Sequence, residues 1–248
     1  MNIKLIALGD THGRSTWETI LRHEPHDLAV LVGDYFDTKE DISGAKQLYN
    51  FQKIIEHKKA NKDRTVLLFG NHDYQYMRYT KDQYSGFQSG AWPEINRVLQ
   101  EAIDEELVQM AFQYENYLFS HAGIGQTWME RIPWHARFGK PDGWDGMNLA
   151  NQVNFVFKFF PRYFNLLYSD DGTSMGESPI WIRPESFRKD QIKGYIQIMG
   201  HTMQNGIDDK GKSTGCKYFL IDSIWRGNFL VIDNGKVSAS NIKNFIRR

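Results

Sequence analysis

Three times in the first third of the chain, a short run of mostly apolar, β-favouring residues stops at a glycine followed by an acid or amide. Ile3-Lys4-Leu5-Ile6-Ala7-Leu8 ends at Gly9-Asp10-Thr11-His12-Gly13, and Leu28-Ala29-Val30-Leu31-Val32 ends at Gly33-Asp34-Tyr35-Phe36-Asp37. Thr65-Val66-Leu67-Leu68-Phe69 ends at Gly70-Asn71-His72-Asp73. Continuous rather than alternating apolar runs suit strands buried on both faces. Between them lie segments with helical spacing: Trp17, Ile20 and Leu21 after Ser15 as a cap, then Ile42, Ala45, Leu48, Tyr49, Ile54 and Ile55. Strand and helix in alternation predict βαβ units and an α/β fold with a parallel sheet covered on both sides. In such sheets ligands sit beyond the carboxyl ends of the strands, where all three polar clusters fall.

Residues 94–106 are predicted helical, and 108–120 as two strands turning at Glu115-Asn116 and ending at Ser120-His121-Ala122-Gly123. The stretch of about 124–195 changes character, with Trp128, Trp134, Trp144, Trp181 and many Phe and Tyr, and reads as a largely helical, aromatic-rich insertion or cap. Strands return at 196–199 before Gly200-His201, at 217–222, at 229–233 and from Lys236, with Asn234-Gly235 as a hairpin turn. No repeat, low-complexity tract or linker interrupts this order, so a single domain is expected over residues 1–248.

Thirty Lys and Arg balance thirty Asp and Glu, so no global basic excess exists to grip a nucleic-acid backbone or an anionic membrane. The lone Cys216 excludes an internal disulfide and a cysteine-based zinc cluster, which fits a reducing compartment. The N-terminal apolar run is too short for a signal-peptide core, and the stretch from Phe155 to Leu167 is broken by Lys158, Pro161 and Arg162. A soluble, cytoplasmic protein without a membrane segment is the expectation.

Any one glycine-acid cluster could be an ordinary turn or helix cap. Together they are not explained that way: from composition, Gly-Asp-x-His is expected ~0.05 times in such a chain, Gly-Asp-x-x-Asp ~0.1 times and Gly-Asn-His-Asp ~0.003 times. Carboxylates, imidazoles and an amide oxygen converging on one rim suit divalent cations, and a shared carboxylate can bridge two of them. Such a pair polarises a phosphoryl oxygen and makes hydroxide available near neutral pH. The leaving oxygen then needs a proton from a histidine that is not a ligand, with a carboxylate behind it. The pattern points to metal-assisted hydrolysis of a phosphate ester.

The ordered set, including Ser120-His121-Ala122-Gly123 and Gly200-His201-Thr202, resembles the calcineurin-like metallophosphoesterases. The resemblance implies a two-sheet sandwich of mixed sheets flanked by helices. It also implies two divalent ions, manganese first, with Fe, Zn, Co or Ni acceptable to the same O/N ligands. Asp10 and His12 would hold the first ion, Asp34 would bridge, and Asn71, His121 and His201 would complete the second. His72 would be the general acid, oriented by Asp37.

The second and fourth blocks are similar to those of the serine/threonine protein phosphatases and diadenosine tetraphosphate hydrolases. The phosphodiesterase and nuclease branches carry a further His two positions after Gly-His, where this chain has Met203. The protein phosphatases also carry Arg at the positions occupied here by Thr38 and Phe69. A dianionic phosphate without bidentate Arg loses strong charge-assisted hydrogen bonds, so another cation should serve, and Arg183 in Trp181-Ile182-Arg183-Pro184 is the candidate. The expected activity is hydrolysis of phosphate monoesters on a phosphorylated substrate, phosphoprotein or nucleotide, with a diadenosine polyphosphate hydrolase or other nucleotide phosphodiesterase as the alternative and a non-catalytic metal-binding scaffold behind it. Trp134, His135, Arg137, Phe138, Trp144, Phe157, Phe159, Phe160 and Tyr163 could stack on a nucleotide base, although a helical cap core is the default for such residues. His23, His26, His57 and His135 match no motif position. The lysines around His57 (Lys53, Lys58, Lys59, Lys62) read as a solvated helix face.

Overall fold

A computed structural model describes residues 3–80, 83–132, 141–167, 171–209 and 217–246. The first half runs β1 (Lys4–Leu8), α1 (Thr16–His23), β2 (Leu28–Leu31), α2 (Gly44–Ala60), β3 (Thr65–Leu68), α3 (Asn71–Tyr74), α4 (Trp92–Asp104), β4 (Val108–Gln109), β5 (Ala111–Tyr114) and β6 (Tyr117–Ser120). The second half adds α5 (Gln126–Glu130), α6 (Leu149–Phe159), α7 (Pro184–Lys189), β7 (Ile196–Met199), β8 (Asp208–Asp209), β9 (Tyr218–Leu220), β10 (Asn228–Asp233), β11 (Lys236–Asn241) and α8 (Lys243–Ile246).

Two mixed sheets result. The first has the order β11-β10-β1-β2-β3-β4 and the second β5-β6-β7-β9-β8. β1 through β4 are parallel neighbours, as the βαβ reading requires, while β10 pairs antiparallel with both β1 and β11 and makes the sheet mixed. The buried runs divide by the period-2 pleat. Leu5, Ala7, Val30 and Leu68 meet Phe119, Ile198 and Ile221 between the sheets. Ile6, Leu8, Ala29, Leu31 and Leu67 pack outward on the helices with Trp17, Phe51 and Leu99. Apart from the half-buried Ile3 and Val66, every apolar position of a run thereby finds a buried face, which is why these runs do not alternate.

Residues 108–120 differ from the two-strand expectation. Val108–Gln109 adds to β3 in the first sheet, and the chain then crosses to the second sheet for the β5–β6 hairpin. Asn154 of α6 makes the change of sheet feasible: its Oδ1 accepts from both Met110 N and Ala111 N at 2.9 Å, and its Nδ2 donates to Ala111 O. Ser15 stands before α1 without a side-chain capping bond. The Asn234-Gly235 turn has φ of 51° and 74°, the left-handed pair a tight hairpin needs.

The aromatic segment is the crossover between the parallel neighbours β6 and β7. Its described residues hold α5, α6, α7 and two 3₁₀ turns. Trp128, Trp144, Phe157 and Phe164 are buried in the helical core, and Phe160 and Tyr163 pack against it, while Phe159 faces solvent. Trp134, His135, Arg137 and Phe138 lie outside the described residues, as does Cys216. Lys53 pairs with Glu18 and Lys59 with Glu105, so these two lysines of the α2 face are matched by acids. Among the described residues, no helix is long and apolar enough to cross a membrane.

Candidate metal centre

The motif residues converge where strand ends of the two sheets meet. β1 delivers Asp10 and His12, β2 delivers Asp34 and Asp37, and the N-terminus of α3 after β3 delivers Asn71 and His72. From the second sheet, β6 ends at His121 and β7 at Gly200-His201. Their backbones are forced into shape: His12, Asp34, Asp37 and His201 adopt φ of 44°, 53°, 65° and 61°, a left-handed conformation costing about 1 kcal/mol or more for a non-glycine residue. Two glycines let carboxylates approach the main chain. A Cβ at Gly200 would stand 1.8 Å from Asp10 Oδ1, and one at Gly70 2.1 Å from Asp34 Oδ1.

Asp73 ties the second and third loops together. Its carboxylate accepts from the N–H groups of Gly70 (2.9 Å), Asp34 (2.9 Å) and Tyr35 (2.8 Å). Asp34 Oδ1 in turn accepts from His72 N at 2.8 Å. Asp37 receives His72 Nδ1 at 3.0 Å, together with Gln75 Nε2 and Tyr76 OH, while its own N–H donates to Gln47 Oε1.

The imidazoles show what the centre requires. His121 Nδ1 donates to Val32 O at 2.9 Å, His201 Nε2 to Trp181 O at 3.0 Å and His12 Nδ1 to Phe36 O at 2.7 Å. A carbonyl only accepts, so in each neutral ring the opposite nitrogen is a lone pair. Those lone pairs point at other acceptors. His121 Nε2 lies 2.9 Å from Asn71 Oδ1 and 3.3 Å from Asp34 Oδ2, and His201 Nδ1 lies 2.9 Å from Asn71 Oδ1. His12 Nε2 stands 3.9 Å from Asp34 Oδ2. Asp10 Oδ1 is buried without a hydrogen-bond partner among the described residues. Ligand atoms of Asp10, Asp34 and His121 fall within 4.8 Å of one another. With the imidazoles neutral, these crowded acceptors repel one another and fit a cation between them; burial keeps His12 and His201 in that state, whereas Asp34 outweighs burial and raises His121.

Protonation follows the same logic. Burial pushes His12 down to about 4 and His201 well below the ordinary imidazole range, which keeps both neutral and ligand-competent. Burial, then Asp222 and Asp34, raises Asp10. Burial opposes the charge on Asp34, but His121 and His72 outweigh it and hold this carboxyl well below its usual value. For His72, burial disfavours the imidazolium, yet Asp34 and the Asp37 hydrogen bond prevail and the pKa is raised. His72 therefore stays protonated where His12 does not.

A pocket of about 300 Å³ opens over the centre. It brings His12, Asp34, Asp37, Asn71, His72, His201 and Arg183 to one wall or another, together with Met203, at the position of the missing second histidine. Asp10 and His121 lie deeper, both buried. Arg183 donates from Nη1 to His201 O at 3.2 Å and from Nε to Asp171 O at 3.0 Å. None of the described insertion aromatics proposed to stack on a base lines this pocket. A larger cleft of about 630 Å³ between α4 and α6 holds no motif residue.

Several pocket residues were missed from the sequence, Arg14, Lys39 and Asp222 among them. Asp222 follows β9, is 4% exposed, and makes no side-chain hydrogen bond among the described residues. It follows the apolar run Tyr218-Phe219-Leu220-Ile221 as Asp10 and Asp34 follow theirs, but with no glycine or histidine beside it to flag it.

The chain matches the family described as calcineurin-like phosphoesterase over residues 3–205. Comparison with curated protein sequences returns no match. Among solved structures, a cold-active protein tyrosine phosphatase is similar at a TM-score of 0.58 and 19% identity, covering 97% of this chain and 76% of its own. A protein serine/threonine phosphatase from Saccharomyces cerevisiae with similarity to human phosphatase PP5 gives 0.56 and 13%, covering 96% of this chain and 80% of its own. At these identities the likeness is one of fold.

Proposed function

The chain belongs to the calcineurin-like phosphoesterase family and is a metal-dependent phosphoesterase, and from that premise we propose that it is a binuclear phosphatase acting on phosphate monoesters. The observation that carries this reading is a cation-demanding cluster and His72, tethered to Asp37 with its pKa raised, on one small pocket. Asp10, His12 and Asp34 would hold one ion, and Asp34, Asn71, His121 and His201 a second, with manganese expected. Two divalent ions sharing a carboxylate supply Lewis acidity toward the phosphoryl oxygens and a water acidic enough to ionise near neutral pH.

The remaining steps belong to the chain's own side chains. His72 Nδ1 is committed to Asp37 Oδ2, so Nε2 is the atom that gives its proton to the leaving oxygen. Asp37 holds the ring and favours its charged form, and Gln75 and Tyr76 hold Asp37. Arg183, fixed by two backbone carbonyls, offers its remaining N–H groups to the non-bridging oxygens. The small, polar pocket suits a phosphoryl group with its leaving group pointing outward.

The test is a paired assay on metal-stripped protein reloaded with Mn²⁺, comparing p-nitrophenyl phosphate, bis-p-nitrophenyl phosphate and diadenosine tetraphosphate. The monoester should win clearly in kcat/KM. His72→Asn should bind Mn²⁺ like the parent and lose ~10²- to 10⁴-fold in turnover, the usual size of general-acid catalysis. Preference for the diester or the dinucleotide would overturn the monoester assignment.

A further inference from the structure

The pocket contains a second guanidinium that no motif accounts for. Arg14 follows Gly13, whose N–H donates to Tyr35 O at 2.8 Å and sets the chain's exit from the first metal loop. Its side chain is only 13% exposed. Nε donates to Glu40 Oε1 at 2.9 Å and Nη1 to Thr11 O at 3.2 Å, while Nη2 has no partner among the described residues. The backbone beneath is pinned as well: Arg14 O accepts from Asn50 Nδ2, and Asn50 Oδ1 accepts from Trp17 Nε1 at 3.0 Å. A guanidinium carries five N–H donors in a rigid fork, so two committed bonds orient the group and leave the rest for a ligand. Lys39 also lines the pocket, but it is exposed on a flexible stem and no ion pair or hydrogen bond orients it among the described residues.

Position matters as much as charge. Arg14 stands near enough to His12 and Asp222 to act on the charge of both, while Arg183 is bonded to the His201 carbonyl. Without Arg14, Asp222 on the same pocket loses one of the positive groups, after His121, that offset its carboxylate toward an incoming anion. The protein-phosphatase arginine positions cannot help, because they are Thr38 and the fully buried Phe69. Taking the phosphatase reading as its basis, we propose that Arg14, oriented by Glu40, is the second phosphate-binding cation, and that Arg14 and Arg183 together select a terminal dianionic phosphoryl group over a diester.

A terminal phosphoryl group offers charged, non-bridging oxygens to both guanidiniums. A diester carries one negative charge and replaces one of those oxygens with an ester link, so it gains less from the second cation.

The experiment uses Mn²⁺-loaded protein and two probes: inorganic phosphate binding by calorimetry, and kcat/KM on p-nitrophenyl phosphate against bis-p-nitrophenyl phosphate. Arg14→Gln should weaken phosphate binding and raise the monoester KM by about 10- to 100-fold, the size of a lost charge-assisted contact. It should change diester hydrolysis less than about threefold, with Mn²⁺ stoichiometry and thermal midpoint unchanged. Arg14→Lys should restore only part of the loss, because the ammonium lacks the fork. Unchanged phosphate binding, or equal losses on both esters, overturns the proposal. Should Arg14→Gln fail to fold, Glu40→Gln at the exposed end of the pair carries the test: phosphate affinity should fall about threefold or more, and no change overturns it. Phosphate binding is read without turnover. A parent protein that binds phosphate through Arg14 yet cleaves neither ester would therefore sink the phosphatase reading and leave the binding assignment standing.

Discussion

The loops that end the strands and the aromatic crossover between β6 and β7 are built on opposite terms. In the loops, His12, Asp34, Asp37 and His201 are held in left-handed backbone, and Asp10, Asp34 and Asp222 are buried close enough to repel one another. Each of these features costs stability in the metal-free chain. In the crossover, no described non-glycine residue has a positive φ, and Trp128, Trp144, Phe157 and Phe164 are packed out of water. Trp128 donates its indole N–H to Tyr163 O and lies 5.2 Å from the Phe164 ring. Trp181, whose buried indole N–H has no partner among the described residues, is an exception in this segment, and it stands beside His201. One region stores strain and repulsion that a cation would relieve, and the other contributes apolar burial that offsets it.

The sharpest way to break this contrast is at Asp34, which touches both halves of the centre. Asp34→Asn should lose binding of both ions in calorimetry and depress turnover by roughly 10³-fold or more, since Lewis-acid stabilisation supplies several kcal/mol. Two ions still bound with parental affinity would mean that Asp34 does not bridge. Trp128→Ala should do the reverse. Removing a fully buried indole costs about 3–5 kcal/mol, or roughly 6–20 °C in Tm for a chain of this size, while kcat/KM at 25 °C stays within about threefold. A large fall in kcat at unchanged Tm would show that the crossover shapes the chemistry and does not merely cover it.

These regions also differ in how far the sequence discloses them. In the loops, the apolar run and the polar cluster are adjacent in the chain, so β1, β2, β3 and their Asp, His and Asn residues can be read together. The partners that hold those side chains are distant. Asp73 is visible as the end of a motif, but its role depends on N–H groups from residues 34, 35 and 70 meeting in space. Asp222 lacks a neighbouring glycine or histidine, and β4 is only two residues long and exists because Leu68 and Leu67 offer it an edge. Asn154 reads as an ordinary helix residue, although it satisfies the backbone where the chain changes sheets. In the crossover, aromatic content alone does not separate a core from a stacking wall. The difference lies in which rings reach the pocket, and among the described residues α6 packs on β5 and none of the rings named for stacking lines the pocket.

The smallest effect expected is also the most specific, and it concerns charge rather than position. Burial alone would lower the His72 pKa; Asp34 and Asp37 reverse the sign. A general acid must be protonated, so activity should decline as pH rises through this raised value. Asp37→Asn keeps an oxygen for His72 Nδ1 but removes one of the two charges that outweigh burial. The descending limb of the kcat profile should then move to lower pH, with turnover near neutrality reduced about 10- to 100-fold, the usual cost of losing such an orienting carboxylate. Stability should respond weakly, because two contributions oppose. A histidine with a raised folded pKa stabilises the fold fully below its ordinary value near 6.5 and loses that contribution as pH rises through the folded value. Asp37 is itself raised, by burial first, so its ionised form is a cost that the amide removes. A pH-rate profile alongside thermal melts separates the cases. If kcat falls while the limb stays in place, Asp37 acts by orienting the ring, and its charge is not what keeps His72 protonated.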